Sequence, residues 1–149
     1  MNAVTSENIL AMYKSSQVIS TARTLINTPY QHQGRKPGVG IDCIGLVIVT
    51  AHQLGLFDYD YINYSRDPDG QLLKIVEKHC EKLPDLTEGA IAVFQLSAIP
   101  HHVGIISKFR GNWGLIHAYQ NTGKVREHEF IKWWQNKLVG IYALPNVQY

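Results

Sequence analysis

Cysteine is scarce in this chain: only Cys43 and Cys80 occur among 149 residues. Two thiols cannot build the disulfide framework of a small secreted scaffold, and they leave room for a single Cys43–Cys80 bridge at most. No CxxC, HxxxH or HxH spacing is present among the two cysteines and seven histidines. That removes the usual zinc ligand patterns, and His101 and His102, adjacent on a strand, would point apart. No metal is therefore expected, and the thiol chemistry read below needs no organic cofactor. No apolar run approaches the ~20 residues of a bilayer span. The opening residues Met1 to Ser6 lack the basic start and apolar stretch of a secretion signal. Charge is also sparse: 17% of residues are charged, the net charge is +2, and no Lys/Arg run occurs, which argues against a nucleic-acid binder.

What is present suits one globular domain spanning 1–149, with 45% apolar residues and no repeat or linker that would divide it. A helical period runs from Ser6 to about Asn27, with Ile9, Met12, Tyr13, Val18, Ile19, Ala22, Leu25 and Ile26 as core candidates. Pro29 disfavours helix just before it, and Gly34, Pro37, Gly38 and Gly40 mark a loop. Asp42 to Gly55 reads as one helix, with Asp42 at the N-cap and Gly55 just past the C-terminus. Its apolar residues cover nearly the whole circumference, so it should be central. A connector, Leu56 to Gly70, leads to a second amphipathic helix expected over Asp69 to Leu83, with Leu72, Leu73, Val76 and Cys80 on one side. After Pro84 come short β-type runs: 90–94, 103–106, 115–119 and 138–144, with 125–130 as an edge strand. Helices first and strands second predict an α+β domain with an antiparallel sheet.

Cys43 follows the expected N-cap, so its sulfur would sit at the positive end of the helix dipole, where a thiolate is favoured. The glycine-bearing loop before it leaves room for a substrate, and Gly45 keeps the helix start slim. His102 shares a strand face with Gly104 and Ile106, while His101 points the other way with Val103 and Ile105. Only one of the two histidines can face the helices, and alternation alone does not choose. His117 sits inside the apolar run Leu115 to Tyr119, either as a hydrogen-bonded core residue or as the group that orients a catalytic base. A two-residue loop at Arg110-Gly111 would set His117 opposite Gly104, diagonal to His102 and within reach. A loop at Gly111-Asn112 would instead move it opposite Ile106, about 13 Å away along the strand. Both registers are open on sequence grounds.

Five segments in order, Thr28-Pro29-Tyr30 with Gly34, Gly40 to Leu46, Glu88 to Phe94, His102 to Ile105, and Ile116-His117-Ala118, resemble the motif series of the NlpC family. These are papain-like peptidoglycan endopeptidases of bacteria and phages, and the resemblance covers about residues 20 to 144. The Asp-Cys-aliphatic-Gly-Leu form is most similar to the phage-tail branch. The resemblance implies Cys43 as nucleophile, His102 as general base and His117 as the orienting residue, with Tyr30 and Asp42 beside the cleft as substrate-binding groups. It implies cleavage of a peptidoglycan stem peptide between γ-D-glutamate and the diamino acid. The lack of an apolar span argues against membrane insertion, and the lack of a signal, taken with the resemblance, implies synthesis in a bacterial cytoplasm with delivery to the wall by a phage-tail-like or other apparatus. Two positions depart from the family. Ile44 stands where cell-wall-recycling members carry the Ser that helps hold a substrate amine, and Glu88-Gly89-Ala90 replaces Pro-Gly-Asp. Two other readings fit the same scaffold: a catalytically silent tail-tip module, and an acyltransferase. His32, His52, His79 and His128 are expected to be surface or packing residues. Trp113, Trp133 and Trp134 are expected in the core or covering the sheet, and Lys14, Arg23, Lys74 and Lys78 on solvated helix faces.

Overall fold

The computed structural model describes residues 13–149. The helix expected from Ser6 therefore lies partly outside the described residues. Within them Tyr13–Lys14 form a short strand, β1, and helix α1 covers only Ser15–Arg23. Gln17 starts α1 by accepting the Lys14 amide hydrogen at 2.8 Å. Val18, Ile19, Ala22 and Leu25 are buried, so the apolar positions of this region hold although the helix is shorter.

Two short strands, β2 (Arg35–Lys36) and β3 (Gly40–Ile41), pair antiparallel and lead into helix α2, Cys43–Leu54. Both ends of α2 are capped as its sequence predicts. Asp42 is extended and its carboxylate accepts the Gly45 amide hydrogen at 2.7 Å. At the other end Gly55, at φ 70°, donates to the His52 carbonyl and Leu56 to the Ala51 carbonyl, a Schellman closure. Every residue from Cys43 to Ala51 is buried, which makes α2 the central helix.

Helix α3 spans Gln71–His79 and is shorter than the stretch to Leu83 that amphipathic spacing predicts. Cys80 turns extended, and Glu81–Leu83 form strand β4. That strand exists because its backbone pairs with a partner sixty residues downstream, with Leu83 opposite Ile141. The remaining elements are β5 (Ile91–Phe94), β6 (His102–Phe109), β7 (Asn112–Tyr119), β8 (Lys124–Glu129), α4 (Lys132–Gln135), β9 (Leu138–Ala143) and β10 (Val147–Gln148). Strand β10 pairs parallel with β1. The main sheet has six strands in the order β4-β9-β5-β6-β7-β8, and all its pairings are antiparallel.

Strand alternation divides the apolar residues between two cores. Ile91, Val93, Val103, Ile105, Ile116, Ala118 and Val125 pack against α1, α2 and α3. Ala92, Phe94, Ile106, Leu115 and Ile141 pack on the opposite side with Phe130 and Trp134. The face carrying Val103 and Ile105 is thus the helix-facing one, and His102 belongs to the other.

Candidate active site

The site forms where the N-terminus of α2 meets the beginning of β6. A cleft of about 180 Å³ is lined by Tyr30, Asp42 and Cys43 from one side and by His101, His102 and Tyr119 from the other. Tyr64, Arg66 and Pro68 of the connector form a third wall. All five residues singled out in the sequence come together here, four of them lining the cleft and His117 directly behind His102.

Asp42 is 2% exposed and tied on every side. Besides capping Gly45 it accepts the Gln33 amide hydrogen at 2.7 Å, the Tyr64 hydroxyl hydrogen, and Arg35 Nη1 at 3.3 Å. Arg35 in turn donates to Asp60 at 3.1 Å, to the Tyr61 carbonyl at 2.7 Å and to the Gly34 carbonyl at 2.9 Å. One buried carboxylate therefore joins the helix start, the glycine loop and the connector. Gly45 is required by the same packing, since a β-carbon there would stand 2.2 Å from the Gly34 carbonyl oxygen. The roles of Arg35 and Tyr64 were not legible from spacing, because their partners come together only in the folded chain.

Cys43 and Cys80 are both free thiols, so the one bridge that composition permits is not formed. Burial pushes the Cys43 thiol up to about 12, with the neighbouring Asp42 charge adding to the shift. The backbone amides of Val103, Ile44 and Cys43 act in the opposite sense. The helix-terminus effect expected from sequence is thus outweighed, and Cys43 rests as a neutral thiol. Burial likewise raises Tyr30 to about 12, ahead of the charges of Cys43 and Asp42, so its hydroxyl is a donor at neutral pH.

Strands β6 and β7 meet in the register that brings the histidines together. Phe109 faces Asn112 and Ile105 faces Ile116 across a two-residue Arg110-Gly111 turn, which sets His117 opposite Gly104. Both turn residues have positive φ, 52° and 81°, the geometry that matches strand twist in a tight hairpin. His102 Nε2 and His117 Nδ1 are 2.8 Å apart. Burial lowers His102 to about 3 and His117 to about 2, so both are neutral at rest. Phe94, Tyr119 and Trp134 surround the His102 ring.

Two further histidines belong to this neighbourhood. His101 lines the cleft, and its Nδ1 is buried with no hydrogen-bond partner among the described residues. His128, expected to be a surface or packing residue, lies with Nε2 2.7 Å from His117 Nε2. The signal that could have found it is register: Arg126 pairs with His117, so His128 is the diagonal neighbour on the same face. The other outlying histidines are accounted for locally. His52 Nε2 meets the Tyr59 carbonyl at 2.8 Å, His79 stacks on Tyr59, and His32 sets its edge against Tyr64. Of the tryptophans, Trp134 is core while Trp133 is half exposed. Arg23 is more than a solvated face, because its guanidinium grips Glu127 at 2.8 and 2.9 Å.

No group of three or more His, Cys, Asp or Glu among the described residues is arranged to hold a metal ion. No described helix is long and apolar enough to cross a membrane.

No protein-family model and no curated protein matches the chain. Among solved structures it is similar to the NlpC/p60 domain of the peptidoglycan hydrolase SagA, at 18% identity and a TM-score of 0.61, covering 88% of this chain and 99% of that one. An NlpC/p60 family protein from Bacillus cereus aligns at 18% identity and TM-score 0.67, covering 95% of this chain and 44% of that one. NlpC1 from Trichomonas vaginalis aligns at 22% identity and TM-score 0.64, covering 85% and 42%. The chain thus spans less than half of the latter two. At these identities the likeness establishes the fold: an α+β papain-like domain of the NlpC/p60 type.

Proposed function

We propose that this domain is a cysteine endopeptidase that hydrolyses an amide bond of a peptidoglycan stem peptide, between γ-D-glutamate and the diamino acid. The observation that carries the reading is a free thiol at a capped helix N-terminus sharing a cleft with His102, whose Nε2 is held by His117. The peptidoglycan hydrolase among its structural neighbours supports the choice of substrate class.

In this reading Cys43 Sγ attacks the amide carbonyl as its proton passes to His102. Burial holds the thiol up and the imidazole down, which favours proton transfer during attack over an ion pair formed beforehand. The Cys43 amide hydrogen and the Tyr30 hydroxyl would face the oxyanion of the tetrahedral intermediate. His102 then gives its proton to the departing amine, leaving a thioester that water hydrolyses with His102 again as base. Arg66 in the cleft wall suits the carboxylates of a stem peptide. Ile44, buried beside Cys43, offers no hydrogen bond to a substrate amine, which favours an internal stem over a free L-alanine terminus. Synthesis in a bacterial cytoplasm and delivery to the wall by a phage-tail-like apparatus belong to the same proposal.

The test is mass spectrometry of diaminopimelate-type peptidoglycan digested with wild type, Cys43→Ala and Cys80→Ala. New fragments ending in γ-D-glutamate are expected from wild type and Cys80→Ala and none from Cys43→Ala, with folding of all three unchanged by circular dichroism. Turnover that survives loss of Cys43 would sink the assignment. No cleavage by any of them, with a Cys43 that stays unalkylated even at pH 9, would favour the silent module.

A further inference from the structure

The histidine pair is the inner part of a longer chain. His102 Nε2 meets His117 Nδ1 at 2.8 Å, His117 Nε2 meets His128 Nε2 at 2.7 Å, and His128 Nδ1 meets the Glu129 carbonyl oxygen at 2.7 Å. The three rings step diagonally across β6, β7 and β8, from the cleft to the half-buried His128. Trp134 packs against all three, and Tyr119 stacks on His117.

We propose that His128 is a positioning residue that sets the tautomers of His117 and His102 and receives the positive charge formed when His102 takes a proton. The proposal rests on the Cys43–His102 reading given above.

The argument starts at a carbonyl, which can only accept. Because the Glu129 oxygen accepts, His128 Nδ1 must carry hydrogen. In neutral His128, Nε2 is then bare and accepts from His117 Nε2–H. Neutral His117 therefore has a bare Nδ1 and accepts from His102 Nε2–H. Neutral His102 is left with its lone pair on Nδ1, the nitrogen outside the chain, and His102 lines the cleft with Cys43. One backbone oxygen thus fixes three tautomers and leaves His102 a base, not an N–H, on the nitrogen outside the chain.

The same chain disposes of the charge. When His102 Nδ1 accepts the Cys43 proton, His102 carries hydrogen on both nitrogens. Transfer of its Nε2 proton to His117 Nδ1, and of the His117 Nε2 proton to His128 Nε2, leaves His102 and His117 neutral. His128 then holds both hydrogens and the charge. No atom enters or leaves, and two short transfers carry the cation from buried rings to one that reaches solvent. Burial opposes charge on the inner pair, so moving it outward favours the step. Return of the same protons lets His102 protonate the departing amine.

The experiment is long-range nitrogen NMR of isotope-labelled imidazoles in the wild-type protein, then in His128→Phe and His128→Gln, with Cys43 alkylation and stem-peptide kinetics beside it. Wild type at neutral pH should show Nδ1–H for His128 and Nε2–H for both His117 and His102. His128→Phe should lose the single tautomer at His117 and lower kcat roughly 10- to 100-fold with KM unchanged. His128→Gln, which accepts a hydrogen bond and cannot take a proton, should restore the tautomers and only part of kcat. A wild-type His102 carrying its hydrogen on Nδ1 would overturn the proposal without any variant. So would full activity and unchanged alkylation in His128→Phe. The expected tautomers with altered alkylation in the variant, and no peptide cleavage by any form, would leave the relay standing and remove the peptidase reading.

Discussion

At the scale of single residues, reactivity is decided by burial. A helix N-terminus lowers a thiol's pKa, and the sequence places Cys43 there, yet it does not show how completely the surrounding chain removes water. Cys43 is 8% exposed and lies beside the Asp42 carboxylate. Desolvation and a like charge both oppose the thiolate, and together they exceed the help from nearby amides. The consequence is measurable in a Cys80→Ala background, which removes the second thiol. With its pKa raised to about 12, Cys43 is mostly protonated across the neutral range. Its alkylation by iodoacetamide should therefore rise about tenfold per pH unit from pH 6 to 9 without levelling. A plateau reached below pH 7 would instead show a thiolate–imidazolium pair already formed at rest.

At the scale of elements, precision comes from the β6–β7 hairpin. The alternation of His102, Gly104 and Ile106 was readable in the chain, and so was the pair of candidate turns, but choosing between the turns required the fold. Gly104 is the space in which His117 sits: a β-carbon there would lie 3.0 Å from His117 Cβ, 2.8 Å from Leu115 Cδ1 and 3.0 Å from the Ile116 carbonyl oxygen. Gly104→Ala should therefore push His117 out of line with His102. We expect a loss on the order of 10²-fold in kcat with little change in KM. Stability should fall by about 1–3 kcal/mol, read from urea unfolding. Wild-type kinetics in that variant would show that His117 does not orient the base. The contrast with other elements shows what a sequence can carry. Helix α2 was legible at both ends because its caps, Asp42 and Gly55, are local. Strand β4 was not, because Glu81-Lys82-Leu83 has no period of its own and is extended only by pairing with β9. His128 was missed for the same reason, since its meaning depends on two registers at once.

At the scale of the molecule, the histidine half of the candidate site is built into the core rather than laid on its surface. His102 is 6% exposed and His117 2%. Both are held neutral, lowered by burial to about 3 and about 2. Unfolding returns each to water, where an imidazole titrates near 6.5. Between the unfolded and folded values the unfolded chain binds more protons than the native one, so stability rises with pH there and is lost as pH falls below about 6.5. At pH 5 the two histidines should each have cost about 2 kcal/mol relative to neutral pH. Acid should thus destabilise this domain well before its carboxylates protonate. Urea unfolding at pH 7.5 and pH 5, in wild type and in His117→Gln, isolates the effect: the variant should lose about half of the acid sensitivity. Equal sensitivity in both proteins would mean that the buried pair takes up protons without unfolding. The native histidine chain would then carry a cation at rest, contrary to the neutral resting state from which the proposed attack begins.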